Sequence, residues 1–242
     1  MTRSLDHTTA IVLAGGVGSR LRSVVSDRPK VLALIRGRPF LAYLLDVLED
    51  AGISKVVLCT GYMSARVEAT FGPAYGKMRL VYSVESTPLG TGGALRAAVP
   101  HLNSESVLIM NGDSFCEVDL QTMAAAHAAR GSEATILLTK VPDTQRFGRV
   151  RIDDDGRLLA FEEKGAHVGP GWINAGVYLL RCRLLATIPQ NRSVSLEKEV
   201  FPAWIGRGLA GYAVEGRFLD IGTPESLAEA EAFFTPAGEA QT

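Results

Sequence analysis

The chain has 242 residues, 47% of them apolar and 21% charged, with a formal net charge of −1. That balance suits a globular protein of one large α/β domain or two small ones. It provides no global field for nucleic acid or an anionic membrane, and no apolar run approaches the roughly 20 residues of a membrane span.

The first element is the run Ile11 to Ala14, ended sharply by glycine, which reads as a buried strand of a parallel sheet. Gly15, Gly16 and Gly18 crowd the next turn. Glycines there permit positive φ and let backbone N–H groups close on an anion. Arg20, Arg22, Arg28 and Lys30 follow, four cations within eleven residues. The loop therefore suits a ligand with several phosphates. It is not a P-loop, which needs Lys-Ser or Lys-Thr after the glycines, and Leu21 stands where a dinucleotide fingerprint needs its third glycine. Arg22 and Arg28 read as solvated cations.

Pro39 to Asp50 reads as a helix with an apolar face of Phe40, Leu41, Leu44, Leu45 and Leu48. Strands are expected at Lys55–Thr60, Leu80–Val84, Val107–Met110 and Ala134–Val141. Helices are expected at Ser64–Phe71, Gly92–Ala98 and Leu120–Arg130. This alternation predicts a single α/β domain spanning 1–242, built on a Rossmann-like, doubly wound, mostly parallel sheet. Ligands of such sheets bind beyond the strand carboxyl ends, where Gly15, Glu85 and Asp113 all fall. After Val141 the pattern changes to a hairpin (Gly148–Ile152 and Leu158–Phe161), a longer strand (Trp172–Leu180) and a helix (Ser195–Ile205). One or two strands within Tyr212–Ile221 and a closing helix (Pro224–Phe234) follow. The pattern thus divides the domain into a first half over about 9–141 and a second half over about 142–234.

Asp113, after a strand, is a candidate Mg²⁺ ligand, although Gly-Asp is also an ordinary turn. Glu85 only accepts hydrogen bonds when ionised. It therefore suits two adjacent N–H donors, as in guanine, better than a single N–H flanked by carbonyls, as in uracil or thymine. Cys59, Cys116 and Cys182 are odd in number, widely spaced and without a C-x-x-C pair, so reduced thiols and a cytoplasmic location are expected.

The segment Leu13-Ala14-Gly15-Gly16-Val17-Gly18-Ser19-Arg20-Leu21, with Pro29-Lys30 after it, resembles the signature of sugar-1-phosphate nucleotidyltransferases. The stretch Ser23 to Asp27 most resembles the branch that makes GDP-activated D-glycero-D-manno-heptose. Four further segments resemble family motifs in order. They are the base-reading loop Glu85 to Gly93, the acidic motif around Asn111 and Asp113, Glu163-Lys164 with Trp172 to Gly176, and Asp220 to Pro224. The resemblance implies Lys30 at the α-phosphate and Arg20 on the leaving pyrophosphate. It implies Leu13, Ala14, Gly15, Gly16, Gly18, Ser19, Glu85, Gly90 and Thr91 around the nucleotide. Asn111, Glu163, Lys164 and Asn174 would hold the sugar phosphate, and Asp113 and Asp220 would hold Mg²⁺. The implied partners are an NTP and a sugar 1-phosphate, with no nucleic acid or membrane, and a homo-oligomer is left open. GTP with the heptose 1-phosphate is favoured, for a surface glycan such as capsule or lipopolysaccharide. GTP with mannose 1-phosphate comes second, and a hexose 1-phosphate with UTP or dTTP third. A non-catalytic regulatory subunit on the same fold remains a different class, although it would be expected to have lost Lys30 or a metal aspartate.

Overall fold

The computed structural model describes residues 5–21, 24–162, 165 and 168–235. Strand β1 (Thr9–Leu13) is the centre of the sheet, and Ala10, Ile11 and Val12 are wholly buried. A small hairpin, β2 (Leu34–Ile35) with β3 (Arg38–Pro39), leads into α1 (Phe40–Asp50), whose apolar face is buried as expected. Pro39 caps this helix from outside instead of occupying its first turn. Then come β4 (Lys55–Thr60), α2 (Ser64–Phe71), β5 (Ala74–Tyr75), β6 (Met78–Val84), α3 (Gly90–Ala98) and β7 (Ser106–Asn111). The short strand β8 (Ser114–Cys116) precedes α4 (Leu120–Ala129), where Asp119 accepts from the N–H groups of Gln121 and Thr122 as an N-cap.

The second half contains β9 (Ala134–Val141), β10 (Val150–Ile152), β11 (Leu158–Phe161) and β12 (Gly171–Arg181). After these come α5 (Cys182–Leu185), α6 (Phe201–Trp204), β13 (Leu209–Val214), β14 (Phe218–Asp220) and α7 (Pro224–Phe233). Strands β6, β4, β1 and β7 are parallel, and β13 is parallel to β9. The long strand β12 runs antiparallel between β7 and β9. The sheet is thus mostly parallel and doubly wound, with β12 reversed between its two halves. Along-chain periodicity identifies strands but not their spatial order, so this insertion was invisible in the sequence.

Beyond β12 the sheet curls. Strand β10 pairs with β12 and β11, and an Arg157–Ala210 bridge brings β11 back to β13. Gly211 sits inside this curl, and a Cβ there would stand 2.8 Å from Leu138 Cδ1. One apolar core lies under α1, α4 and α7, and the other lies under α3 and the 182–205 segment.

One expected element differs, and one resolves into two. The helix over 195–205 is a π-helical turn, Leu196–Val200, followed by the single turn of α6, where Pro202 lies in the first turn. Tyr212–Ile221 resolves into β13 and β14, and β14 leaves the main sheet to pair with β8. Among the described residues no helix is long and apolar enough to cross a membrane. All three cysteines are free.

Phe201 is fully buried against Tyr178, Phe161 and Trp204. Phe201→Ala should therefore lower unfolding free energy by about 3–5 kcal/mol in urea titration, mainly through a lower midpoint.

Candidate active site at the strand carboxyl ends

The residues that end β1, β4 and β7 share one rim. Ala14 donates to Cys59 O (2.8 Å) and Gly112 donates to Leu13 O (2.9 Å). A Cβ at Gly112 would stand 2.6 Å from that same Leu13 O, so only glycine lets the two strand ends close. The rim carries a cavity of about 290 Å³ lined by Leu13, Ala14, Gly15, Gly16, Val17, Lys30, Val31, Cys59, Glu85, Pro88, Gly90, Thr91, Ala94, Asn111 and Asp113. A second cavity of about 370 Å³ is lined by Arg20, Asn111, Asp113, Ser114, Phe147, Gly148, Arg149, Val150, Phe161, Glu162, Asn174, Ser195, Glu197, Lys198, Pro202, Phe218 and Asp220. Asn111 and Asp113 line both, so the cavities meet at the end of β7.

Lys30 stands at this seam. Its Nζ lies 2.8 Å from Asp113 Oδ2, with the lysine side chain 10% exposed and the aspartate 43%. Gly18 has φ +62 and lies behind the lysine, where a Cβ would meet Lys30 Cβ at 3.1 Å. Asp220 arrives from the far end of the chain. Strand β14 pairs Asp220 with Ser114, and Ile221 N donates to Asp113 O (3.0 Å). Burial and then the charge of Asp113 push the Asp220 carboxyl up, against Lys30, the Gly222 N–H and Arg146, which pull it down. The arginine Nη2 lies 3.8 Å from Asp220 Oδ1. Thr223 and Ser226 form a capping box for α7 immediately after.

Glu85 follows β6. Its N–H donates to Thr60 O (2.8 Å), and its Oε2 accepts from Leu89 N (2.9 Å). Its Oε1 lies over Gly15, at 3.3 Å from where a Cβ would be. Burial pushes the Glu85 carboxyl up, and the Leu89 N–H offsets part of that.

Asn174 is held by a bulge in β12, where Gly176 has φ +79. A Cβ on Gly176 would stand 2.5 Å from Ser114 Oγ. Asn174 Oδ1 accepts from Gly176 N (2.9 Å), and its Nδ2 donates to the buried Tyr178 hydroxyl (3.0 Å). Asn111 bonds the same hydroxyl. Asn174 is thus partly committed to shaping its own strand.

The expected residues therefore divide. Leu13, Ala14, Gly15, Gly16, Lys30, Glu85, Gly90 and Thr91 surround the first cavity. Arg20, Asn174 and Asp220 face the second, and Asn111 and Asp113 face both. Gly18 supports Lys30 from behind. Ser19 is exposed in the 3₁₀ turn Ser19–Leu21 and lines neither cavity. Glu163, Lys164 and Arg22 lie outside the described residues. The sequence reading missed Phe147, Arg149, Glu162, Glu197, Lys198 and Phe218. For Glu197 and Lys198 the one signal was the Ser195–Glu199 run, whose charges at the start of a helix look like an ordinary solvated first turn.

The family profile of nucleotidyl transferases matches residues 9–236. The chain belongs to the nucleotidyl transferase family. Among curated relatives of this transferase, the D-glycero-alpha-D-manno-heptose 1-phosphate guanylyltransferase of Aneurinibacillus thermoaerophilus is 38% identical over 223 residues, 92% of this chain and 96% of that protein. The mannose-1-phosphate guanylyltransferase of Mycobacterium tuberculosis is 37% identical over 92% of this chain, which spans 63% of that protein. A crystal structure of HddC from Yersinia pseudotuberculosis complexed with GMP-PN superposes with a TM-score of 0.82 at 30% identity, covering 94% of this chain and all of that one.

Two outcomes are expected at the seam. Lys30→Met should cut turnover of the transferase by two orders of magnitude or more while circular dichroism stays native, since an electrostatic donor at a reacting centre is worth about 10²–10³ in rate. Asp113→Asn should lower the melting temperature more than Lys30→Met does. The first leaves an almost buried ammonium without its counter-charge, whereas the second leaves a carboxylate that water already reaches.

Proposed function

We propose that the chain transfers GMP from GTP to D-glycero-α-D-manno-heptose 1-phosphate, releasing pyrophosphate and giving a nucleotide sugar for a surface glycan. The observation that carries this reading is the pair of cavities meeting at Asn111 and Asp113, with Lys30 at the seam. Two ligands in such cavities bring their reacting ends together. The heptose and guanine assignments follow the named heptose and mannose relatives, both of which are guanylyltransferases. Mannose 1-phosphate is the second reading, supported by the 37% identity of the mycobacterial protein.

Both substrates are polyanions, and their mutual repulsion is a large part of the barrier. A sugar phosphate has its second pKa near ~6 and attacks as a dianion at neutral pH. No general base is needed, and positioning with charge neutralisation is sufficient. In this reading the backbone of Gly15 and Gly16 approaches the triphosphate. Lys30 leaves Asp113 for the α-phosphate as that phosphate arrives. Arg20, facing the second cavity, stands beside the departing pyrophosphate, and Asn111 and Asn174 present amide groups to sugar hydroxyls. Glu163 and Lys164 are proposed for the sugar and its phosphate.

Asp113 and Asp220 would hold Mg²⁺. Two carboxylates plus substrate phosphates and water are a sufficient donor set for this ion. The upward shift of the Asp220 carboxyl, caused by burial and by Asp113, is the crowding of negative charge that a divalent cation relieves. When bound, the ion supplies further neutralisation of the phosphates. Asp220→Asn should then raise the Mg²⁺ concentration needed for half-maximal rate at least tenfold, and an unchanged Mg²⁺ titration removes Asp220 from the metal site. The chain is proposed to act in the cytoplasm, where NTPs are made.

The assay that tests the function incubates the protein with Mg²⁺, each NTP and a panel of sugar 1-phosphates and measures pyrophosphate. GTP with the heptose 1-phosphate should give the highest kcat/KM, and a preference for UTP or dTTP overturns the assignment. Glu85→Gln turns one acceptor into a donor against guanine. The lost charge-assisted bond is worth roughly 1.5–3 kcal/mol, about one to two decades in the GTP-to-UTP ratio of kcat/KM. Guanine recognition needs the ionised form, so the preference is complete above the Glu85 pKa and fades as pH falls through it. Because burial raises that pKa, the loss begins at a higher pH than for an ordinary glutamate, and Glu85→Gln should abolish this pH dependence.

A further inference from the structure

Besides Asn111 and Asp113, which line both cavities, a threonine hydroxyl links a wall of the first to a wall of the second. Thr91, in the first turn of α3, lines the first cavity. Its Oγ1 accepts from Leu196 N (2.8 Å) and donates to Glu197 Oε2 (3.0 Å), and Glu197 lines the second cavity. Ser195 Oγ donates to the same carboxylate oxygen (2.9 Å) and accepts from Lys198 N (3.2 Å). Ser195 and Lys198 also face the second cavity.

The backbone is fastened at the same place. Gly92 N donates to Val194 O (2.8 Å), and Val194 N donates to Leu89 O (2.8 Å). The glycines of Gly90-Thr91-Gly92-Gly93 belong to the stretch that resembles a base-reading loop. Three of them instead make room for the 192–194 segment. A Cβ would stand 2.6 Å from Val194 O at Gly90, 3.0 Å from Val194 Cγ1 at Gly92 and 2.8 Å from Arg192 O at Gly93. The docked segment continues into the π-helical turn Leu196–Val200, a conformation more common at functional sites than elsewhere.

We infer that Thr91 is a positioning residue that couples the two substrates: a nucleotide in the first cavity fixes the start of α3, and Thr91 passes that order to Glu197 and Lys198 in the sugar-phosphate cavity. The inference rests on the guanylyltransferase reading. Linkage makes the effect reciprocal, so each ligand tightens the other by the same factor. The hydroxyl stands in the wall of the first cavity and the turn it holds stands in the wall of the second.

The test is calorimetric titration of D-glycero-α-D-manno-heptose 1-phosphate into the full chain, with and without a saturating α,β-methylene analogue of GTP that cannot transfer. In the wild type the analogue should tighten sugar-phosphate binding about tenfold, within the range of coupling between sites. Thr91→Val keeps the shape, removes both hydroxyl bonds and should bring that ratio below about twofold. Thr91→Ser, which keeps the hydroxyl, should retain the wild-type ratio, which a packing role alone would not predict. A Thr91→Val protein with undiminished coupling, or a wild type with none while transfer proceeds, overturns the inference and leaves the guanylyltransferase reading standing. If neither ligand binds the wild type, both fall.

Discussion

The site depends on one ion pair. Lys30 is nearly buried, and a buried ammonium is tolerated only with a counter-charge and a satisfied hydrogen bond. Asp113 supplies both. Most of the local backbone chemistry serves this contact. Gly18, with positive φ, makes room for the lysine stem, and Gly112 lets β7 close on β1 so that Asp113 reaches the lysine. Such a pair contributes little net stability, since desolvation offsets most of the Coulomb gain. It does fix the lysine's position before any phosphate arrives.

Strand β12 is the second constraint. Placed antiparallel between β7 and β9, it joins the two halves of the molecule through one continuous sheet. The bulge at Asn174 to Tyr178 follows from this position. At the level of Asn111 and Ser114 the strand must clear two side chains, and only a glycine in the left-handed region at 176 does so. The same bulge directs Asn174 toward the second cavity and uses part of its amide to hold Tyr178.

Much of this was legible in the sequence for identifiable reasons. The first strand and its glycine turn are local, and apolar period and φ requirements suffice to read them. The placement of Glu85 and Asp113 beyond strand ends follows from the parallel topology that the alternation implies. The second cavity was less legible. Its wall is assembled from the 146–150 loop, the 195–198 turn and β14, segments brought together only by tertiary pairing. Glu197 and Lys198 looked like surface charges because a helical reading puts them on a solvated turn, whereas the π-helical turn and the docking on α3 bring them to the cavity. Gly92 and Gly93 misled in the other direction. They read as part of a ligand loop, and their space is taken by the chain's own backbone.

Charge placement explains how a nearly neutral protein serves polyanions. The net charge of −1 excludes long-range attraction as the means of binding. Two cations here have a nearby carboxylate: Lys30 is paired with Asp113, and Arg146 lies near Asp220. Under the proposed function, binding of a phosphate at Lys30 is therefore an exchange of partners. The exchange is favourable only if the displaced carboxylates gain something in return. Asp220, buried and repelled by Asp113, gains most from a cation. Two anions released by phosphate, side by side on the paired strands β8 and β14, are a donor set that a hard divalent ion completes together with the phosphate oxygens. Under the proposed function, the ion pairs of the free protein and the metal site of the loaded one would be alternative uses of the same carboxylates.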